Sequence, residues 1–272
     1  MNTINFTEGT TQHGTYWRRY GTVSECPLVM VVGYGGQLST WSDQFVERLS
    51  RNRDVIIFDH HGSGKSAPLA EDADLSLADF STHVTQLTNE LGIAQLDLYG
   101  YSMGGCISLE FMRRHPDRVK HLILVATTPG GKYFHNASPE VAERMRSPRG
   151  STLEEMYFDF LSISMPAAAI DKHRPTLNKI CAATCNPATP QHVLTMKLKA
   201  FRQYDASDVL ANINIPTLVV HGKDDQLVPL QNGVELATHI PTSQKLFLDE
   251  CGHYPHIEQQ DELVAAISSF VA

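Results

Sequence analysis

The sequence predicts an α/β fold: a mostly parallel central sheet flanked by helices, with an inserted helical lid. Three observations carry that expectation. Short apolar runs alternate with longer amphipathic stretches along most of the 272 residues, the order expected when helices cover the faces of a sheet. The runs are near-continuous Val, Ile and Leu, as strands buried on both faces require. The alternation then breaks between residues 131 and 204, where the pattern is helical and holds no good strand.

Six stretches read as strands: PLVMVVG (27–33), RDVIIFD (53–59), QLDLYGY (95–101), VKHLILVA (119–126), PTLVVHG (216–222) and QKLFLDE (244–250). Helices are expected over 76–92, 103–116 and 261–271. On the first of these, Leu77, Phe80, His83, Val84, Leu87 and Leu91 recur at helical spacing. Within 131–204, SPEVAERMRS, STLEEMYFDFLSI and TPQHVLTMKLKAFRQ read as helices, and STLEE carries a capping-box glutamate. Prolines at 148, 166, 175, 187 and 190 are expected to separate the segments. Residues 1–130 and 205–272 are therefore assigned to one core, and 131–204 to an insertion packed over one edge of the sheet.

A chain of this length, 42% hydrophobic and 19% charged, can bury one large core. Its net charge of −8 argues against a nucleic-acid footprint. The N-terminal stretch MNTINFTEGTTQHG has no apolar h-region, and no run approaches the roughly 20 apolar residues of a membrane span. A cytoplasmic protein without membrane contact is expected. The five cysteines (26, 106, 181, 185 and 251) show no framework spacing, which fits a reduced compartment. Cys181 and Cys185 share a helix face, but no matching pair completes a four-ligand set, so no metal is expected.

The chemistry concentrates at LYGYSMGGC, where Ser102 stands between Gly100 and Gly104 as a strand gives way to a helix. A tight turn carrying a hydroxyl is the plain reading. A nucleophile on a strained turn, at the positive end of a helix, is the functional one. A serine nucleophile needs a base and an orienting acid. His253 lies in LDECGHYPHIE, and Asp224 and Asp225 lie in GKDDQLVP after a strand.

With these motifs, together with VGYGGQLSTW and FDHHGSGKS after the first two apolar strands, the chain resembles the α/β-hydrolase family nearly end to end. The resemblance implies a triad of Ser102, His253 and Asp225, with Asp224 as the fallback acid. It implies backbone N–H groups of Tyr34 and Met103 as the oxyanion hole, and Gly33, Gly35 and Tyr101 as substrate-binding candidates. No cofactor is implied. Two positions depart from the family pattern: Val32-Gly33 replaces the usual His-Gly, and His61 stands where the family carries Arg. Of the other histidines, His221 is expected to be a packed neighbour and His256 a surface or rim residue; Cys106 is expected in the core.

The implied activity is hydrolysis of a small-molecule carboxylic ester, lactone or thioester through an acyl-enzyme. Similar scaffolds cleave C–C bonds of ketonic ring-cleavage products, which TTPGG (127–131) somewhat suggests; others are slow-turnover receptors or signalling proteins. The insertion holds ten Lys/Arg against six Asp/Glu, a formal +4, which leaves −12 for the remainder of a chain whose total is −8. A basic lid on an acidic body steers anionic partners. Arg144, Arg146 and Arg149 are the lid candidates for an anionic acyl group or an acidic acyl-carrier protein, as in pimeloyl-carrier-protein methyl esterases. A solvated surface of local ion pairs is the competing reading.

Overall fold

The computed structural model describes residues 5–271. Its strands are β1 (Phe6–Thr10), β2 (Tyr16–Tyr20), β3 (Leu28–Val31), β4 (Val55–Phe58), β5 (Leu96–Tyr101), β6 (Val119–Val125), β7 (Thr217–Gly222) and β8 (Ser243–Leu248). They form one eight-stranded sheet in the order β1-β2-β4-β3-β5-β6-β7-β8. From β4 through β8 every pairing is parallel, and β1 and β2 add an antiparallel hairpin at one edge.

All six expected strands are present. The hairpin is an addition to the reading, since FTEGT and YWRRY have none of the continuous apolar character that announced the inner strands. An edge hairpin needs little of it. Tyr16 and Tyr20 are buried, whereas the intervening Trp17, Arg18 and Arg19 are only partly so.

The helices are α1 (Asp43–Ser50), α2 (Leu77–Glu90), α3 (Met103–Arg114), α4 (Pro139–Arg146), α5 (Leu153–Ser162), α6 (Ala167–Thr184), α7 (Gln191–Arg202), α8 (Leu230–His239), the short α9 (Pro255–Glu258) and α10 (Gln260–Phe270). Caps set several starts. Ser42 accepts from the Phe45 N–H before α1, Ser76 and Asp79 close a capping box on α2, and Thr152 and Glu155 close another on α5. Two hydrophobic clusters cover the two faces of the sheet, one joined by α1 and α10 and the other by α2, α3 and α8.

Between β6 and β7 the described chain is helical, α4 to α7, with no strand. α6 corrects the expectation that Pro175 separates segments, because Pro175 lies inside it. The ring removes one N–H from the ladder, while burial of Ile170 on one side and Leu177 and Ile180 on the other holds the helix together. An isolated bridge pairs Gly130 with Asp205, and the Ala206 N–H donates to the Pro129 carbonyl at 2.8 Å. The two ends of this helical segment thus meet at one point.

Candidate active site

Parallel strands bring their C-terminal ends to one rim, where α/β folds place their chemistry. Ser102 sits there, between β5 and α3, at φ 54° and ψ −127°. A left-handed φ is costly for a side chain with a Cβ and persists only when the surroundings impose it. Here they do. The Ser102 N–H donates to the Val125 carbonyl at 2.9 Å, and the Ser102 carbonyl accepts from the Gly105 N–H at 2.8 Å and Thr127 Oγ1 at 2.6 Å.

The flanking glycines follow from that compact turn. A Cβ on Gly104 would stand 2.1 Å from the Val31 carbonyl oxygen, and one on Gly100 would stand 2.5 Å from the Gly105 Cα. Neither backbone can give way without moving the sheet or the helix. Gly33 belongs to the same contact: a Cβ there would reach 2.8 Å from that of Ser102.

His253 follows β8 and Asp225 follows β7. Ser102 Oγ and His253 Nε2 are 3.0 Å apart, and His253 Nδ1 is 2.7 Å from Asp225 Oδ2. A proton on Nδ1 then satisfies the carboxylate and leaves Nε2 free to accept from the serine. Asp225 Oδ1 accepts from the Leu227 and Val228 N–H groups at 3.0 and 2.9 Å. Burial alone would raise this carboxyl, but the His253 charge and the hydrogen bonds of His221 and His253 outweigh it and hold it at about 2. Asp224, next along the chain, is exposed and its N–H donates to the Cys251 carbonyl. His221 is buried, donates Nε2–H to the Val228 carbonyl at 2.7 Å and stands 3.5 Å from Asp225.

The loop from Gly33 to Thr40 crosses the rim beside Ser102. Met103 opens α3, so its N–H has no acceptor one turn back, and Tyr34 lies in the turn that Gly36 closes onto the Gly33 carbonyl at 3.2 Å. Gly35 lies beneath α7, with Leu194 the nearest side chain. The loop is gripped by two separate parts of the chain. Asp59 Oδ1 accepts the Leu38 N–H at 2.6 Å, and Gln37 Nε2 donates to the Thr184 and Pro187 carbonyls at 3.2 and 2.9 Å.

Sequence reading missed several supporting residues. Glu258 accepts the Gly252 and Tyr254 N–H groups, each at 2.8 Å, and so clamps the turn that presents His253; burial pushes its carboxyl up to about 7. The His253 N–H itself donates to the Ser164 carbonyl, between α5 and α6, at 2.7 Å. The Glu directly after Pro255-His256-Ile257 was visible, but only the fold aims it back at the backbone.

Lys197 on α7 is wholly buried, with its ammonium donating to Ser63 Oγ at 2.8 Å and 5.5 Å from the Phe80 ring. Burial lowers it to about 7, and the nearby Asp59 only partly offsets that. The unfolded chain therefore binds the extra proton between about pH 7 and an ordinary lysine's ~10.4, and stability rises with pH across that window. Lys197→Met is expected to stabilise the protein by about 1–4 kcal/mol at neutral pH, with the gain shrinking as pH climbs toward 10. Urea titrations at pH 7 and 9.5 check this; a gain that grows with pH contradicts the burial argument.

His256 corrects the sequence reading. It is wholly buried rather than at a rim, ringed by Trp41, Phe45, Tyr101 and Tyr254. Burial, with the His253 charge, lowers it to about 3, so it is a neutral aromatic filler behind His253. Tyr101 shares that cluster, its ring 5.2 Å from that of His253. Cys106 is buried and directs its thiol to the Thr128 carbonyl. Arg144 is ion-paired with Asp159 and Arg146 with Glu143, while the Arg149 N–H also reaches Asp159 at 2.9 Å. Among the described residues no helix is long and apolar enough to cross a membrane.

A curated relative, the 2-hydroxymuconate semialdehyde hydrolase of a Pseudomonas species, is 29% identical over 90% of this chain and 87% of its own. The pimeloyl-[acyl-carrier protein] methyl ester esterase of Aliivibrio salmonicida is 27% identical over 94% of this chain and 95% of its own. Among solved structures, a thermophilic esterase from Thermogutta terrifontis superposes with a TM-score of 0.78 at 26% identity, covering 98% of both chains. The family described as alpha/beta hydrolase fold matches residues 27–260. With that match spanning most of its length, the chain belongs to the α/β-hydrolase family.

Proposed function

We propose that the chain is a serine hydrolase that cleaves a small-molecule carboxylic ester, or the related lactone or thioester, through an acyl-enzyme. The observation that carries this reading is the unbroken line Ser102 Oγ, His253 Nε2, His253 Nδ1, Asp225 Oδ2, at 3.0 and 2.7 Å. His253 takes the serine proton as Oγ attacks the acyl carbon, and Asp225 holds the imidazole in the tautomer that can accept it. The Tyr34 and Met103 N–H groups receive the oxyanion, at the positive end of α3. His253 then protonates the departing alcohol or thiol. Water repeats the sequence to release the acid. Helices α4–α7 act as the lid: Leu194 lies over Gly35 and Ser164 holds the His253 backbone.

A second reading is C–C bond hydrolysis of a ketonic ring-cleavage product, supported by the name of the 29% identical relative. Short p-nitrophenyl esters and a ring-cleavage dienoate, assayed side by side, separate the two. Ester turnover that also labels Ser102 with a fluorophosphonate supports the first; turnover of the dienoate with inert esters replaces it by the second.

The name of the 27% identical esterase raises an acyl-carrier protein as partner. Arg144 and Arg146 already hold carboxylates of the insertion itself, which supports a free small ester. Raising salt from about 0.05 to about 0.5 M is then expected to change kcat/KM by less than about twofold. A carrier-linked ester whose kcat/KM falls by about tenfold or more over that range makes the lid a docking surface instead.

A further inference from the structure

Cys181 and Cys185 lie one turn apart on α6 and at its C-cap, with their sulfurs 3.9 Å apart and both thiols free. Cys181 is buried; Cys185 is partly exposed, with Ala182, Ala183 and Asn186 exposed around it. The other three cysteines stand apart: Cys26 contacts Asp97, Cys106 the Thr128 carbonyl, and Cys251 is buried beneath the His253 turn. A direct S–S bond is about 2.05 Å long, so a helix holding the two sulfurs at this separation favours one bridging atom over a disulfide.

The pair sits against the loop that bears Tyr34. Thr184, just before Cys185, and Pro187, just after it, supply the carbonyls that hold Gln37, and Thr184 Oγ1 lies 3.1 Å from Ser39 Oγ. Anything that re-forms the end of α6 therefore acts on the contacts of the loop.

We propose that Cys181 and Cys185 form a chelating site for a trivalent arsenical or comparable soft thiophilic centre, and that filling it slows turnover by displacing the Gly33–Thr40 loop. An arylarsonous acid reacts without redox change. Two S–H and two As–O bonds break, two As–S bonds form, the thiol protons leave with the oxygens as two waters, and arsenic stays trivalent. The binding step stands by itself, whereas the loss of turnover rests on the hydrolase reading above.

The test treats the full folded chain with phenylarsine oxide and reads intact mass and ester turnover together. One adduct per chain is expected, resistant to glutathione and removed by dimercaptopropanol. Cys181→Ser and Cys185→Ser are each expected to lose that resistant adduct, and Cys26→Ser to keep it. Turnover, taken relative to each protein's own untreated rate, is expected to fall about tenfold in the native chain and less than about twofold in the two serine variants, because a small displacement of oxyanion donors is costly. A resistant adduct that persists in both variants overturns the site. Stoichiometric labelling with unchanged turnover overturns the coupling to the loop. A chain inert toward every ester sinks the hydrolase reading alone, and the mass result still decides the site.

Discussion

Ser102→Ala is expected to lower ester turnover by on the order of 10⁴-fold or more and to abolish fluorophosphonate labelling, with the fold retained. Alanine keeps the Cβ that the turn already tolerates at φ 54°, so the Val125, Gly105 and Thr127 contacts survive and thermal stability should change little. What disappears is the hydroxyl that His253 Nε2 meets at 3.0 Å. His253→Ala is expected to cost about as much, because nucleophile and base act as a unit. Their double variant should be scarcely worse than either alone. Near-native turnover by Ser102→Ala, with unchanged circular dichroism, removes the central assignment.

The second large effect separates two adjacent carboxylates. Asp225→Asn is expected to lose about 10⁴-fold in kcat, as the wrong imidazole tautomer does in a serine protease, while Asp224→Asn stays within a few-fold. The reason is geometric. The Leu227 and Val228 N–H groups fix one oxygen at position 225, so the asparagine carbonyl takes that place and its NH₂ turns toward His253 Nδ1. The ring must then accept at Nδ1 and carry its proton on Nε2, where the serine proton should go. Asp224 is exposed and touches neither ring nitrogen. The same substitution has a signature in acid. Asp225 is held near 2, below an ordinary aspartate's ~3.9, so its contribution to stability is complete above about pH 4 and fades as pH falls toward 2. Asp225→Asn should flatten that part of the acid-unfolding curve. Equal losses of activity at 224 and 225, or a larger one at 224, reassign the acid.

The inner strands were legible in the sequence because burial on both faces leaves runs such as VMVV and ILV with no polar interruption. The hairpin of Phe6–Thr10 and Tyr16–Tyr20 was not, since an edge can be built from Arg, Thr and Glu around two tyrosines. Ser102 was legible through its glycines, where an added Cβ would meet backbone atoms at 2.1 and 2.5 Å. The choice of Asp225 over Asp224 rested on family spacing, and the geometry supplies its reason in the two backbone donors. His256 misled because polarity suggested a surface, whereas a neutral imidazole packs as a flat ring among Trp41, Phe45 and Tyr101. Lys197 and Gln37 were invisible for another reason. Their partners lie far away in sequence, and nothing local marks a side chain whose work is to hold a distant loop.

The insertion between Gly130 and Asp205 looks detachable, because its two ends meet at a single bridge. Its side chains say otherwise. Leu161, Met165, Ile170, Leu177 and Ile180 complete the core on one face of the sheet, and Val193, Met196 and Ala200 that on the other. Burying those eight is worth on the order of 10–20 kcal/mol, against a net stability of about 5–15 kcal/mol for a whole domain. A chimera that keeps the sheet and imports a foreign segment at 131–204 must therefore match both apolar surfaces at once, and a trimmed version lacking it would expose both to water. Exchanging the segment as a unit would remove part of the foundation on which the rest is built.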